Sequence, residues 1–336
     1  IIDYTNYDNT NNERTSCNLY FKKEEEDNAV KTIETLASLA DSSSTDVYTV
    51  PDKTGDSCTY TLAYDGTTDN NLRYVGTNPC NYVTFNGEKA SWRIVGVINT
   101  LEGKRLKLVK VDSIGNYSWD NKASGTGSSK SQYGSNDWSD SALKDMLNSG
   151  AYYNRTSGTC PSGKNGATTS CTFASNGLLE NARAMIDTIT WTLGGTASFD
   201  SVDTGLSKHF YDYERGSTVY SNRPTTWQGK IGLLYPSDYG YATSGGSTTN
   251  RTSCLNLVLA NWDNYSSSDC KNNDWLSSSS TQWAMTPNSA NTYNVFRLIS
   301  SGYIGSGGAF NALAVRPTLY LSHSIKITNG DGSKAS

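Results

Sequence analysis

Few groups in this chain could act on a substrate. The 336 residues hold only two histidines. His209 sits in Lys-His-Phe-Tyr-Asp, which reads as a helix surface, and His323 follows a strand end. No Gly-x-Ser-x-Gly, phosphate loop or dinucleotide fingerprint occurs, so neither an activated serine nor a cofactor is expected. Two carboxylate pairs, Asp137 with Asp140 and Asp238 with Asp263, could serve hydrolysis of a glycoside. An Asp beside a helix start more commonly caps the helix. Three clusters, Asn136-Asp-Trp138, Asn261-Trp-Asp263 and Asn272-Asn-Asp-Trp275, offer oxygen ligands of the calcium type, but none has EF-hand spacing. They read as caps beside buried tryptophans, and no metal is expected.

Recognition is the chemistry the residue types favour. Gln282 to Leu321 opens with Trp-Ala-Met-Thr-Pro and closes with Ala-Val-Arg-Pro-Thr-Leu-Tyr-Leu, two segments that read as buried strands. Between them lie small, hydroxyl, amide and aromatic residues, punctuated by Gly302, Gly305, Gly307 and Gly308. From Thr286 to Ile325 there is no Asp, Glu or Lys, and the only formal charges are Arg297 and Arg316. Aromatic rings in such a segment give contact area at low entropic cost, and Ser and Asn give adaptable hydrogen bonds.

The rest of the chain must hold that segment in place outside the cell. Net charge is −4, so the chain as a whole offers no electrostatic footprint for nucleic acid. No apolar run reaches the length of a membrane span. Charged residues are 18% and tyrosines number 22, a bland, Tyr-rich polarity that points to an extracellular β-rich protein. Seven cysteines without any Cys-x-x-Cys speak against structural zinc. Their spacing suggests three local disulfides, Cys58 with Cys80, Cys160 with Cys171 and Cys254 with Cys270. Cys17 is left over, which points to a partner upstream or in another chain.

Periodicity then supplies the elements. Val30, Ile33, Leu36 and Leu39 predict a short amphipathic helix over 28–40. Strands are expected at 60–64, 72–75, 82–85, 91–98 and 105–111, the last two as a hairpin with a bulge near Val109, where the alternation slips. Two main helices are expected, over 136–147 and from about 177 to 193, then a helical turn at 206–213, a strand at 230–235 and a short helix at 255–262. The sheet resumes at 283, 293–299, 314–321 and 325–327. The fold class is α+β, with two helices and long disulfide-tied loops on one twisted antiparallel sheet.

Five segments in order carry a resemblance: Trp92-Arg-Ile-Val-Gly-Val97, Ser113-Ile-Gly-Asn-Tyr-Ser-Trp-Asp120, Asn136-Asp-Trp138, Tyr235-Pro-Ser-Asp-Tyr-Gly-Tyr-Ala-Thr243 and Ala314-Val-Arg-Pro-Thr-Leu-Tyr-Leu321. With these the chain resembles secreted surface proteins of Gram-positive gut bacteria whose C-terminal half is similar to the C-type-lectin-fold variable proteins of diversity-generating retroelements. The resemblance covers roughly 58–333. It implies a C-type-lectin-like domain over 51–336, preceded at 1–50 by a linker, the end of an immunoglobulin-like repeat and a short helix. It also implies that adenine mutagenesis of Asn-type codons diversifies one face, and such mutagenesis cannot create Lys, Glu, Gln, Met or Trp. Residues 286–325 contain none of the five, where on the order of five would be expected at ordinary usage. A small-residue β segment explains the gap about equally well.

Carried over residue by residue, the resemblance makes Val295, Phe296, Gly302, Ile304, Ala309 and Val315-Arg316-Pro317 scaffold. It makes Tyr293, Asn294, Arg297, Ser300, Ser301, Tyr303, Ser306, Phe310 and Asn311 the displayed, ligand-binding positions. Neither Glu-Pro-Asn nor Gln-Pro-Asp occurs, so calcium-dependent sugar binding is not implied. The expectation is a non-enzymatic, adhesin-like module that binds a protein or glycan on another cell or host surface. Membrane contact would come only through an anchor outside these residues. A self-associating subunit of a surface filament is the second reading, and a carbohydrate-active enzyme the third.

Overall fold

The computed structural model describes residues 28–38, 48–50, 58–122, 133–264, 269–330 and 332–334. Cys17 lies outside them. Helix α1 (Ala29–Ser38) precedes strands β1 (Tyr48–Val50), β2 (Tyr60–Tyr64), β3 (Leu72–Tyr74), β4 (Tyr82–Phe85), β5 (Glu88–Thr100), β6 (Gly103–Lys110) and β7 (Asn116–Ser118). The middle of the chain forms α2 (Ala142–Asn148), α3 (Ala151–Asn154), β8 (Ser157–Pro161), β9 (Thr168–Thr172), α4 (Glu180–Met185), β10 (Ile189–Thr192), α5 (Ser207–Glu214), β11 (Thr226–Gly229) and β12 (Ile231–Gly232). The last third forms α6 (Pro236–Tyr241), α7 (Arg251–Leu255), α8 (Asp269–Asn272), β13 (Gln282–Pro287), β14 (Asn294–Ile299), β15 (Tyr303–Gly308), β16 (Ala312–Ala314) and β17 (Thr318–Tyr320).

The fold is mixed α+β with mostly antiparallel strands, but it is not one sheet. Eight strands form a larger sheet in the order β1-β2-β3-β5-β6-β17-β12, with β4 also on β5. Five form a second sheet in the order β15-β14-β13-β16-β7, in which β13 and β16 run parallel. The pairs β8–β9 and β10–β11 stand apart as hairpins. The split falls at Val315-Arg316-Pro317, between β16 in one sheet and β17 in the other. There Arg316 is buried, donating from Nε to the Lys110 carbonyl at 2.8 Å.

The expected pair of long helices is also absent. The 136–147 segment is a 3-10 turn, Trp138–Asp140, followed by α2, whose N-cap is the Ser141 side chain. The 177–193 segment is helical only in α4, and β10 follows after Ile186. Leu178, Leu179, Ala182, Met185 and Ile186 do have helical spacing. The run Ile189-Thr-Trp-Thr192 is β-branched and aromatic, and it pairs with β11 instead. Over 255–262 there are the end of α7 and a 3-10 turn, Leu259–Asn261, rather than one helix. The 230–235 strand shrinks to β12, and 325–327 forms no strand.

The central hairpin explains the slip in alternation. Ile94 pairs with Leu108 and Gly96 with Lys107, so Val95 is the extra residue and the bulge lies in β5. Val109 keeps its register opposite Arg93. It breaks the apolar alternation because it faces a second buried cluster, with Val95, Phe210, Trp262 and Phe296, while Leu108 faces the first. Gly96 is required by close approach: a Cβ there would stand 2.2 Å from the Leu72 carbonyl oxygen of β3.

A buried charge cluster joins three segments distant in sequence. The Asp238 carboxylate on α6 meets Arg73 of β3 at 2.6 Å and Lys107 of β6 at 2.5 Å, all nearly inaccessible to solvent. Arg73 also pairs with Asp65 at 3.0 Å. Lys107 Nζ lies 4.5 Å from the ring centroid of Tyr235 and 5.4 Å from that of Tyr320. Burial alone would raise the Asp238 carboxyl, but Lys107 and Arg73 hold it at about 2. Burial pushes the Lys107 ammonium down to about 8, with Asp238 opposing. The partners shift in senses that respectively favour and oppose the ion pair, yet at pH 7 both stay charged. Beside them the Glu214 carboxyl on α5 is pushed up to about 7 by burial. Its Oε1 accepts from the Ser237 N–H at 2.9 Å, and its Oε2 contacts Ser237 Oγ.

The three expected disulfides are present: Cys58–Cys80, Cys160–Cys171 and Cys254–Cys270. Helix α1 docks through Ala29, Ile33 and Ala37 against the first cluster. Among the described residues no helix is long and apolar enough to cross a membrane.

Candidate recognition site

The stretch from 293 to 311 is mostly a β-hairpin. Strands β14 and β15 pair from Asn294 with Gly308 to Ile299 with Tyr303, and Gly302 closes the turn at φ +90°. The turn N–H of Gly302 donates to the Ile299 carbonyl at 2.8 Å. Alternation divides the side chains. Phe296, Leu298 and Ile304 enter the second cluster, against Phe199 and Phe210, while Val295 enters the first. Arg297 shares the face of Val295 and reaches diagonally over β15. A Cβ on Gly307 would stand 2.7 Å from its guanidinium carbon, so the glycine is the floor on which that side chain lies. Among the described residues Arg297 makes no ion pair, and its buried Nε has no hydrogen-bond partner.

At the base of the hairpin the rings of three chain segments meet. Tyr133 stacks on Phe310, with centroids 4.9 Å apart and planes at 29°, and packs against Tyr293 at 5.4 Å. The exposed Lys164 places its Nζ 4.7 Å from the Tyr133 centroid and 4.9 Å from that of Phe310. All three rings remain partly open to solvent.

This cluster is positioned by amide side chains. Asn136 is buried, and its Nδ2 donates to the carbonyls of Asn288, Asn291 and Asn294 at 2.8, 3.0 and 2.7 Å, which fixes the loop before β14. Asn121 Nδ2 donates to the carbonyls of Gly163 and Ala167 at 2.8 and 2.6 Å, and so holds the turn that carries Lys164. Ser118 Oγ donates to the Phe310 carbonyl at 2.6 Å and accepts from the Gly163 N–H at 2.8 Å, which ties the β8–β9 hairpin to the sheet end. The disulfide Cys160–Cys171 clamps that hairpin below its turn. Between it and α2–α3 lies an open cavity of about 300 Å3, lined by Lys122 and Asp145, which pair with each other at 3.1 Å.

The nine expected display positions do not form one uniform surface. Ser300 and Ser301 are exposed at the hairpin tip, where the Ser301 carbonyl accepts from Lys271 Nζ at 3.1 Å. Tyr303, Arg297, Tyr293 and Phe310 are half-buried. Tyr303 packs against the rim of the second cluster and lies near Gly305. Ser306 turns to the inner face, with its Oγ 3.5 Å from Asn288 Nδ2. Asn294 accepts at its carbonyl from Asn136, and Asn311 Nδ2 donates to the Gly308 carbonyl at 2.9 Å, so both brace the backbone. Sequence reasoning missed Tyr133 and Lys164, which join Phe310 only through tertiary contact. In sequence Asn136 reads as a cap or calcium ligand, whereas its amide braces the loop before β14.

Four of the groups considered for acid–base work have other partners. Asp137 caps the 3-10 turn by accepting from the Ser139 N–H at 3.0 Å, and Asp140 pairs with Lys122 at 3.2 Å. Asp238 is sealed in the charge cluster. His209 Nδ1 accepts from the Leu206 N–H at 3.4 Å, at the start of α5. Among the described residues no three His, Cys, Asp or Glu side chains converge as metal ligands. No protein-family model, no curated protein and no solved structure matches this chain. Three disulfides are the mark of a secreted or extracellular protein.

Proposed function

We propose that the chain is a non-enzymatic recognition module of the cell surface. In this reading it is built on a C-type-lectin-like domain and presents the 293–311 hairpin and its base to a protein or glycan on another cell. The observation that carries the reading is the stacked pair Tyr133–Phe310 with Tyr293 beside it, half-open to solvent and held beneath a lysine. Rings fixed this way give a partner apolar area without further ordering cost. Arg297, without a carboxylate partner, adds a directional donor nearby.

Purified parent chain and a variant carrying Tyr293→Ala, Arg297→Ala, Tyr303→Ala and Phe310→Ala are to be compared on arrays of immobilised glycans and purified cell-surface proteins. The expected result is a partner bound by the parent and lost by the variant at an unchanged disulfide pattern and near-ultraviolet spectrum. Equal binding by both would move the site away from the hairpin.

A further inference from the structure

The cavity between the β8–β9 hairpin and helices α2 and α3 has the make-up of a small-molecule site. Its volume of about 300 Å3 stands at the lower end of the range for such sites, about 300–1,000 Å3, which is room for one small ring. The floor is apolar: Met146 and Pro161 are buried, with Ala142 and Ala151 beside them. The rim carries hydroxyls. Thr159 lies two residues from Pro161, and Thr168 pairs with Pro161, so all three side chains share one face of the hairpin. Thr159, Thr168 and Ser149, which follows α2, are exposed.

One charged pair reaches this rim. Asp145 Oδ2 and Lys122 Nζ lie 3.1 Å apart, with side chains 48% and 41% exposed, so a ligand can touch both. Lys144 occupies the other carboxylate oxygen, Oδ1, at 2.7 Å, and Oδ2 keeps a lone pair beyond the one that serves Lys122. Lys122 also donates to the Asp140 carbonyl at 2.5 Å and to Asp140 Oδ1 at 3.2 Å. The Asp140 side chain is 80% exposed, so that last bond competes with water and costs little to exchange for a ligand oxygen.

The pair is neutral as a whole, and this selects the ligand. An anion would be repelled by Asp145 and a cation by Lys122. Two neighbouring hydroxyls on a ring escape both penalties: one donates to Asp145 Oδ2 and the next accepts from Lys122 Nζ. The carbon–hydrogen face of the same ring can then cover Met146 and Pro161.

We propose that this cavity binds a neutral hexose unit of a surface glycan through two adjacent hydroxyls held by Asp145 and Lys122. The proposal rests on the recognition reading above, makes a glycan its partner and adds a contact outside the 293–311 hairpin.

Met146 is one of three methionines, and Met185 and Met285 do not line the cavity. The full chain with isotope-labelled methionine methyls is titrated with the methyl glycosides of glucose, mannose and galactose. The Met146 signal, assigned from Met146→Leu, is followed by NMR. At least one glycoside should shift it saturably while the other two methionine signals stay in place. Affinity should fall about tenfold in Asp145→Asn, which keeps the shape and loses the charged acceptor. It should fall as far when either hydroxyl of the bound pair is replaced by hydrogen. Thr168→Trp, at an exposed position, should fill the cavity and abolish the shift at an unchanged urea midpoint.

A Met146 signal that none of the three glycosides moves overturns the proposal. So does a shift that persists in Thr168→Trp, or an affinity that Asp145→Asn leaves unchanged. A stronger response to glucuronate or glucosamine than to the neutral glycosides would make the ligand an ion and also sink it. The array experiment fails separately: its four substitutions leave the cavity lining in place, and Thr168→Trp leaves the 293–311 hairpin untouched.

Discussion

Replacing Glu214 by Gln should change how stability depends on pH. In the fold, burial pushes this carboxyl from its ordinary value of 4.5 up to about 7. The folded chain therefore keeps a proton that the unfolded chain has released, and stability declines as pH rises between those two values. Each pH unit is worth about 1.4 kcal/mol, so the decline attributable to this group approaches about 3 kcal/mol by pH 8. Gln has nearly the same shape, can accept from the Ser237 N–H as Glu214 Oε1 does, and cannot ionise. The difference in unfolding free energy, variant minus parent, should rise by about 3 kcal/mol between pH 4.5 and pH 8. Other titrating groups cancel in that difference. Urea unfolding followed by tryptophan fluorescence at several pH values and constant ionic strength measures it. A difference that stays flat within about 0.5 kcal/mol would refute the reasoning, because Glu214 would then ionise in the fold as it does unfolded.

Other perturbations have equally definite outcomes. Lys107→Met leaves the Asp238 carboxylate buried with one partner fewer, and should cost about 3–5 kcal/mol in denaturant unfolding. Asn136→Ala removes the amide that serves the carbonyls of Asn288, Asn291 and Asn294, of which the last keeps the Asn288 N–H. It should cost about 2 kcal/mol and speed amide hydrogen exchange over 288–294 more than elsewhere. Removing both Cys160 and Cys171 as serines frees a loop of 11 residues' separation and should cost about 3 kcal/mol by the chain-entropy argument, read as a lower urea midpoint. Gly96→Ala forces β3 and β5 apart, and should destabilise more than any other Gly→Ala change in β5–β6, seen as the largest drop in thermal midpoint.

What could be read from the sequence follows from where each element finds its partners. Helix α1 buries one apolar face against the core, so its periodicity is plain; hairpin β5–β6 is buried on both faces and is legible instead as two long apolar runs joined by a turn. The disulfides are local and their spacing sufficed. Strand β15 escaped because Gly305, Gly307 and Gly308 erase the alternation that marks a strand, and its register comes from β14. Hairpin β8–β9 escaped because its Ser, Thr and Gly face solvent and a disulfide stands in for a core. The supposed helix at 177–193 failed because β10 takes its conformation from β11, some 35 residues on. The aromatic cluster was half legible: Tyr293 and Phe310 lie in the composition anomaly, whereas Tyr133 and Lys164 carry no local signal.

The cross-link Cys160–Cys171 brackets Lys164, an exposed basic residue of the kind trypsin-like proteases cut beside. Hydrolysis after Lys164 would sever the backbone there, yet both new ends remain joined through sulfur. They also stay anchored on the two sides of the cut, by Gly163 to Ser118 and Asn121 and by Ala167 to Asn121. The nick would release no fragment and would be visible as two pieces only after reduction. The hairpin beside the aromatic cluster is thus built to outlast its own cleavage, a form of durability suited to a chain working where proteases circulate.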